Sequence, residues 1–153
     1  MKVKLLSPGA KIPTRAKDGD AGYDLYAPKD FEVKPGRNVL PLDIQIELKP
    51  KTEGMVRPRS GFSINGIEGY LANDPQTLRR FDADVIVGTV DEGYRGVVGV
   101  IIKSYENFPF MIAKGSKVAQ MIISKYCDEP FEEASELSKT ERGENGFGHT
   151  GTK

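Results

Sequence analysis

The chain has 153 residues, 38% of them apolar, which suits one domain around a single core. Lysine plus arginine equals aspartate plus glutamate at 22 each; zero formal charge disfavours a polymeric nucleic-acid partner, which calls for a basic surface. No apolar run approaches the ~18 residues of a membrane span, the opening MKVKLLSPGAKIP has too little apolar character for a secretion signal, and the single cysteine, Cys127, suits the cytoplasm or another reducing compartment.

The 17 glycines and 10 prolines are spread along the whole chain and separate short runs rich in apolar and β-branched residues. In chain order the runs predict strands at Lys2–Leu6, Val39–Leu48, Gly54–Arg57, Val85–Val90, Gly96–Lys103 and Val118–Ser124. Ile44, Ile46 and Leu48 alternate with Gln45 and Glu47, the pattern of a half-buried strand. Gly96 to Lys103 is nearly all apolar, as where both faces of a strand are covered. Ser60 is placed to cap a short helical turn running through Ser63 and Asn65. Asp74-Pro75 reads as a cap followed by proline at the first helical position, opening a helix PQTLRRF. No long stripe at helical spacing occurs, so the fold class is all-β, a jelly roll or distorted barrel with many turns. From about Asp128 the chain turns polar and acidic. The β domain is therefore expected over residues 1–138, followed by a C-terminal arm over 139–153.

Chemistry-bearing residues gather in five segments. Asp24 interrupts the strand-like run Ala21 to Ala27, where a carboxylate either faces water on an edge or serves a ligand. Arg57-Pro58-Arg59-Ser60-Gly61-Phe62-Ser63 runs from a strand into a helix start, which is either an ordinary cap or an anion cradle built from amides, a hydroxyl and an arginine. Gly88 to Gly96, with Asp91 and Tyr94, lies between two apolar strands and reads as a β-hairpin. Gly115 to Ile122 is a turn feeding a buried strand that contains Gln120, whose amide needs a core partner or a ligand. The last segment, ERGENGFGHTGTK, is too polar and glycine-rich to fold on itself. It is either a frayed end or a cover for a flat base and its phosphates, because it carries a ring, a guanidinium, a hydroxyl and open amides.

Scarcity narrows the chemistry. With one histidine and one cysteine, a zinc site within the chain is disfavoured. His149, in the tail, is a poor candidate for a positioned base. A general base is therefore expected to be Asp or Glu, and a metal to be a hard cation bound through oxygen and phosphate.

Taken together and in order, Ala21–Ala27, Pro58–Ser63, Gly88–Gly96, Gly115–Ile122 and Arg142–Gly151 resemble the five motifs of the trimeric dUTP pyrophosphatases (dUTPases). The resemblance implies a jelly-roll subunit in a homotrimer. Each site would take motifs one, two and four from one subunit, three from a second and five from a third. It implies hydrolysis of dUTP to dUMP and pyrophosphate, limiting uracil incorporation into DNA and supplying dUMP. Asp91 would orient the water that attacks the α-phosphorus. Mg²⁺ would be held mainly by the triphosphate and contacted by Asp24 through water. Arg59, Ser60, Gly61 and Gln120 would hold the phosphates. Gly88, Thr89 and Val90 would pair with uracil through their backbones, and Tyr94 would lie under the deoxyribose. From the arm, Arg142 and Thr150 would hold the γ-phosphate and Phe147 would stack on uracil. Gly146 and Gly148 would let the backbone pass close to the nucleotide. His149 stands where many members have Ser, and Ser116 where an acid is common.

The segment 66–84 is longer than in compact members. It is expected to be a surface loop with a helical turn, the alternative being a docking site for a regulatory protein. Two rival activities remain on this reading. One is dCTP deamination, which shares the fold; the other is a regulatory protein using the nucleotide site as a switch.

Overall fold

The computed structural model describes residues 1–144; Gly146, Phe147, Gly148, His149 and Thr150 lie outside the described residues. The described chain is almost entirely β. In order it forms β1 (Lys2–Leu5), β2 (Gly22–Tyr26), β3 (Phe31–Val33), β4 (Gly36–Pro41), β5 (Ile44–Glu47) and β6 (Thr52–Arg57). The single short helix α1 (Ser60–Asn65) follows. Then come β7 (Ile67–Leu71), β8 (Asp74–Phe81), β9 (Ala83–Ile86), β10 (Gly88–Val90), β11 (Gly99–Ser104), β12 (Phe110–Ile112) and β13 (Lys117–Lys125). This is the all-β jelly-roll architecture expected.

The pairing is mostly between strands distant in sequence. The sheets run β10-β6-β13-β2, β4-β11-β9 and β3-β12-β7-β8, with β1 on β5. Their inner faces meet in one core, whose fully buried members include Leu25, Leu40, Ile67, Ile102, Phe110 and Met121. Phe81 stacks on Phe110 with ring centroids 4.2 Å apart. Gly69 in β7 has room for no side chain, because a Cβ there would strike the Met111 carbonyl of β12.

Several expectations are corrected. The run Val39–Leu48 is two strands, not one. β4 pairs with β11 and β5 with β1, and the chain changes sheet at Leu42-Asp43, where Asp43 takes φ 54°. The helix expected after Asp74-Pro75 is the strand β8, antiparallel to β7 with Ile67 opposite Phe81 and Gly69 opposite Arg79. Seven residues with Leu78 exposed and only Phe81 buried offer no apolar helical face, and an isolated helix of that length is marginal. Asp74 instead binds Arg79 at 2.6 Å and Thr77 at 2.9 Å. Pro75 is tolerated because β8 is an edge strand. The segment 66–84 is thus a β-hairpin and not a loop with a helical turn.

β11 was expected to be covered on both faces, yet its burial alternates. Ile101 lies on the outer face in register with Val39 on one side and Ile86 on the other, and Val39 is 64% exposed. The hairpin expected across 88–96 also takes another form. β9 pairs with β11, while β10 leaves that sheet to pair with β6, so the segment is a wide connection closed by a tight turn at Asp91–Tyr94. After β13 no further strand occurs among the described residues, and residues 125–144 are exposed.

Candidate active site

β13 organises the first half of the site. Gln120 lies opposite Asp24 of β2 on one side and Arg57 of β6 on the other. Cross-strand register therefore brings the expected first, second and fourth motifs together. Asp24 is 7% exposed, which removes the water-facing alternative. β2 is an edge strand, but Thr14 covers that edge by accepting the Asp24 amide at 2.7 Å. The carboxylate meets two cations: Arg59 Nε lies 3.0 Å from Oδ1 and Lys117 Nζ lies 2.6 Å from Oδ2. Two positive groups on one carboxylate leave the cluster with a net positive charge for an anion.

Gln120 donates from Nε2 to the Pro58 carbonyl at 2.9 Å, which fixes its amide beside the cradle. Gly22 provides the space, since a Cβ there would strike the Gln120 side chain. Ser60 does not cap α1. Arg59 is the N-cap, extended at φ −82° and ψ 145°; a guanidinium has no acceptor for a cap bond, and this one pairs with Asp24 instead. The first bonds back to the Arg59 carbonyl come from Phe62 and Ser63, so the Ser60 and Gly61 amides precede them. Asp24, Arg59, Ser60, Gly61 and Gln120 line one cleft of about 300 Å³, together with Asp20.

Gly88, Thr89, Val90 and Tyr94 line a different hollow, of about 150 Å³, floored by Val56, Val98 and Ile101. β10 is an edge strand, so one side of its backbone is left without a strand partner. The Tyr94 hydroxyl donates to the Val97 carbonyl at 3.1 Å, folding the ring over Gly96, where any side chain would strike it. Asp91 is exposed and belongs to neither hollow. Val90 pairs with Gly54, whereas the cradle follows Arg57 at the opposite end of β6. The three residue steps from Gly54 to Arg57 alone span roughly 10 Å of strand. One chain therefore brings Asp24, Arg59, Ser60, Gly61 and Gln120 to one cleft and, separately, Gly88, Thr89, Val90 and Tyr94 to another, with Asp91 in neither. Arg142 is exposed, and the remaining arm residues lie outside the described residues.

The family model for dUTPase matches residues 9–73 and 79–151. This chain belongs to the dUTPase family. It is 40% identical over 153 residues to the deoxyuridine 5'-triphosphate nucleotidohydrolase of Clostridium tetani (strain Massachusetts / E88), covering 99% of this chain and 96% of that one. With its counterpart in Clostridium kluyveri it shares 42% identity over 152 residues, covering 98% and 96%. Among solved structures, the Staphylococcus bacteriophage 80alpha dUTPase with dUpNHpp superposes with a TM-score of 0.82 at 26% identity, covering 99% of this chain and 98% of that one.

Between its two matched stretches the family model skips residues 74–78, the start of β8 at the tip of the β7–β8 hairpin. Sequence reading missed Lys117 as a site residue. Its signal was its place between the Gly115 turn and the buried run Val118–Met121, directly across from motif one. A dUTPase implies Mg²⁺, and the donor set fits it. Asp20 and Asp24 supply hard oxygens to the cleft, and among the described residues no group of three or more His, Cys, Asp or Glu forms a protein cage. Mg²⁺ is commonly held by one or two carboxylates, water and substrate phosphates, and Asp20 and Asp24 are the two carboxylates at this cleft.

Proposed function

We propose that this chain hydrolyses dUTP to dUMP and pyrophosphate in a homotrimer, with Asp91 directing water at the α-phosphorus. Hydrolysis of dUTP is the activity of the family to which the chain belongs. The observation that carries the shared site is the separation of Asp91 from the Arg59 cradle along β6, which leaves a single chain incomplete. A second observation supports subunit contact. The row Val39, Ile101 and Ile86 is apolar on the outer face, and it adjoins the hollow that Ile86 and Ile101 help to line. A second copy placed there would cover the face and bring its own cradle to the hollow.

In this reading the Arg59 guanidinium, the Ser60 hydroxyl and the Ser60 and Gly61 amides bind the phosphate chain, and Lys117 adds charge. Gln120 orients the chain through its amide. Mg²⁺, when bound, would neutralise phosphate charge, with Asp24 reaching it through water. The free edge of β10 at Gly88–Val90 offers backbone donors and acceptors to uracil. Cytosine presents the reversed pattern and would leave groups unpaired, at about 1–3 kcal/mol each. Tyr94 lies under the deoxyribose and leaves no room for a 2′-hydroxyl. The Asp91 carboxylate holds the attacking water and takes its proton; positioning and charge neutralisation supply most of the acceleration in phosphoryl transfer. The arm, residues 139–153, closes the site, with Arg142 and Thr150 on the γ-phosphate and Phe147 on the base; His149 stands beside them. The exposed single cysteine, Cys127, suits a reducing compartment such as the cytoplasm.

Product analysis with dUTP, dCTP, dTTP and UTP side by side tests this function. Only dUTP should be consumed at an appreciable rate, giving dUMP and pyrophosphate. Ammonia released from dCTP would favour the deaminase reading, and nucleoside diphosphate with orthophosphate would contradict attack at the α-phosphorus.

A further inference from the structure

The turn that carries Asp91 is held by its neighbour. Glu92 Oε2 accepts two hydrogen bonds, from the Lys51 backbone amide at 2.7 Å and from the Tyr126 hydroxyl at 2.7 Å. Lys51 is in the β5–β6 turn and takes the left-handed backbone region at φ 59°, uncommon for a residue with a side chain. Tyr126 is the first residue after β13, where the chain leaves the sheets toward the arm. Two further links close this corner. The Tyr126 amide donates to the Lys51 carbonyl at 3.2 Å, and Lys51 Nζ lies 3.2 Å from Asp128 Oδ1.

The turn is also braced from within. Tyr94 donates its amide to the Asp91 carbonyl at 3.1 Å. Arg95 Nη1 donates to the Glu92 and Tyr94 carbonyls at 2.7 and 2.9 Å, and Gln45 donates to the Arg95 carbonyl at 2.7 Å. These bonds shape the turn. Only the Glu92 carboxylate ties it to the root of the arm among the hydrogen bonds described. Both of its donors hold the Glu92 carboxyl below the usual carboxylate range, with Tyr126 the larger influence. It is therefore ionised across the neutral range, and hydrogen bonds to an ionised acceptor are roughly twice as strong as neutral ones.

We propose that Glu92 is a positioning residue for Asp91, its carboxylate fastening the catalytic turn to the β5–β6 turn through Lys51 and to the root of the arm through Tyr126. It touches no substrate. It fixes where the Asp91 backbone starts, and so where the attacking water is held. The proposal rests on Asp91 being the group that directs that water.

The test uses the full-length chain carrying Tyr126→Phe, Glu92→Ala, both together, Glu92→Gln and, separately, Asp91→Asn. The readouts are kcat and KM for dUTP, affinity for the non-hydrolysable analogue dUpNHpp, and Tm. A misplacement of about 1 Å can cost ~10²-fold in rate, so Glu92→Ala should lower kcat ~10- to 100-fold with analogue affinity within about twofold of the parent. Tyr126→Phe should lower kcat less, and the double variant should match Glu92→Ala, because the hydroxyl has already lost its acceptor. Glu92→Gln should recover most of the rate, since its carbonyl oxygen can still accept both bonds. A purely structural role would lower Tm and leave the folded enzyme's kcat intact. Parental kcat in Glu92→Ala and Tyr126→Phe, with Asp91→Asn inactive, overturns the proposal alone. Full activity in Asp91→Asn removes the reading of Asp91 on which it rests.

Discussion

Asp91→Asn is expected to lower turnover of dUTP by ~10²–10⁴-fold, the contribution usual for a positioned general base. Affinity for dUpNHpp should stay within a few-fold of the parent. The two effects separate because Asp91 lines neither the cleft around Arg59 nor the hollow bounded by Gly88–Val90 and Tyr94. Asparagine keeps the size and can still hold a water, but it cannot take the proton. The turn should survive, since its internal bonds come from the Asp91 carbonyl, the Tyr94 amide and the Arg95 guanidinium, none of which the substitution removes. Single-turnover rates and analogue titration on the same preparation check both halves. Equal loss of rate and affinity would mean that Asp91 maintains the site instead of acting in it.

Removal of residues 141–153 is expected to leave the fold intact and remove most of the activity, ~10²-fold or more where closure completes the site and excludes water. Stability should be spared because, among the described residues, the last strand ends at Lys125, the core draws no member from beyond it, and residues 125–144 are exposed. The deletion also removes Arg142, Phe147 and Thr150, the proposed partners of the γ-phosphate and the base. Thermal unfolding beside steady-state kinetics distinguishes the two effects. An unchanged Tm with a collapsed kcat/KM is the predicted pair, and an unchanged rate would discard the closing arm.

The fold class was legible because alternation and glycine spacing report local structure, and strands such as β6 and β13 have enough of both. What was not legible depended on partners far along the chain. Asp74-Pro75-Gln76 has the local chemistry of a helix start, yet pairing with Ile67–Leu71 decides in favour of a strand. The apolar pattern of Val39–Leu48 runs on without interruption through the point where Asp43 turns the chain into another sheet. β3 and β12 have three residues each, too few for any period to register.

The site divides in the same way. Arg59, Ser60, Gly61 and Gln120 stood out in the sequence as a guanidinium, a helix start and a lone amide in an apolar strand, and the structure places them around one cleft. The burial of Asp24 was not readable from its neighbours, because its edge is closed by Thr14 and its charge is balanced by Lys117 and Arg59 from other elements. Glu92 escaped notice because acidic residues are ordinary in turns. Its role depends on Lys51 and Tyr126, which are 41 and 34 residues away.

The central claim is that one chain's cradle works with another chain's carboxylate, and subunit mixing tests it most directly. Asp91→Asn and Arg59→Ala chains, each inactive alone, are unfolded together in equal amounts and refolded as mixed trimers. If sites are shared between neighbours, every mixed trimer holds one site with both groups intact, and the mixture should recover about a quarter of the parental rate. A mixture as inactive as its components, with mixed trimers confirmed by native mass spectrometry, would place the whole site within one chain and contradict the account.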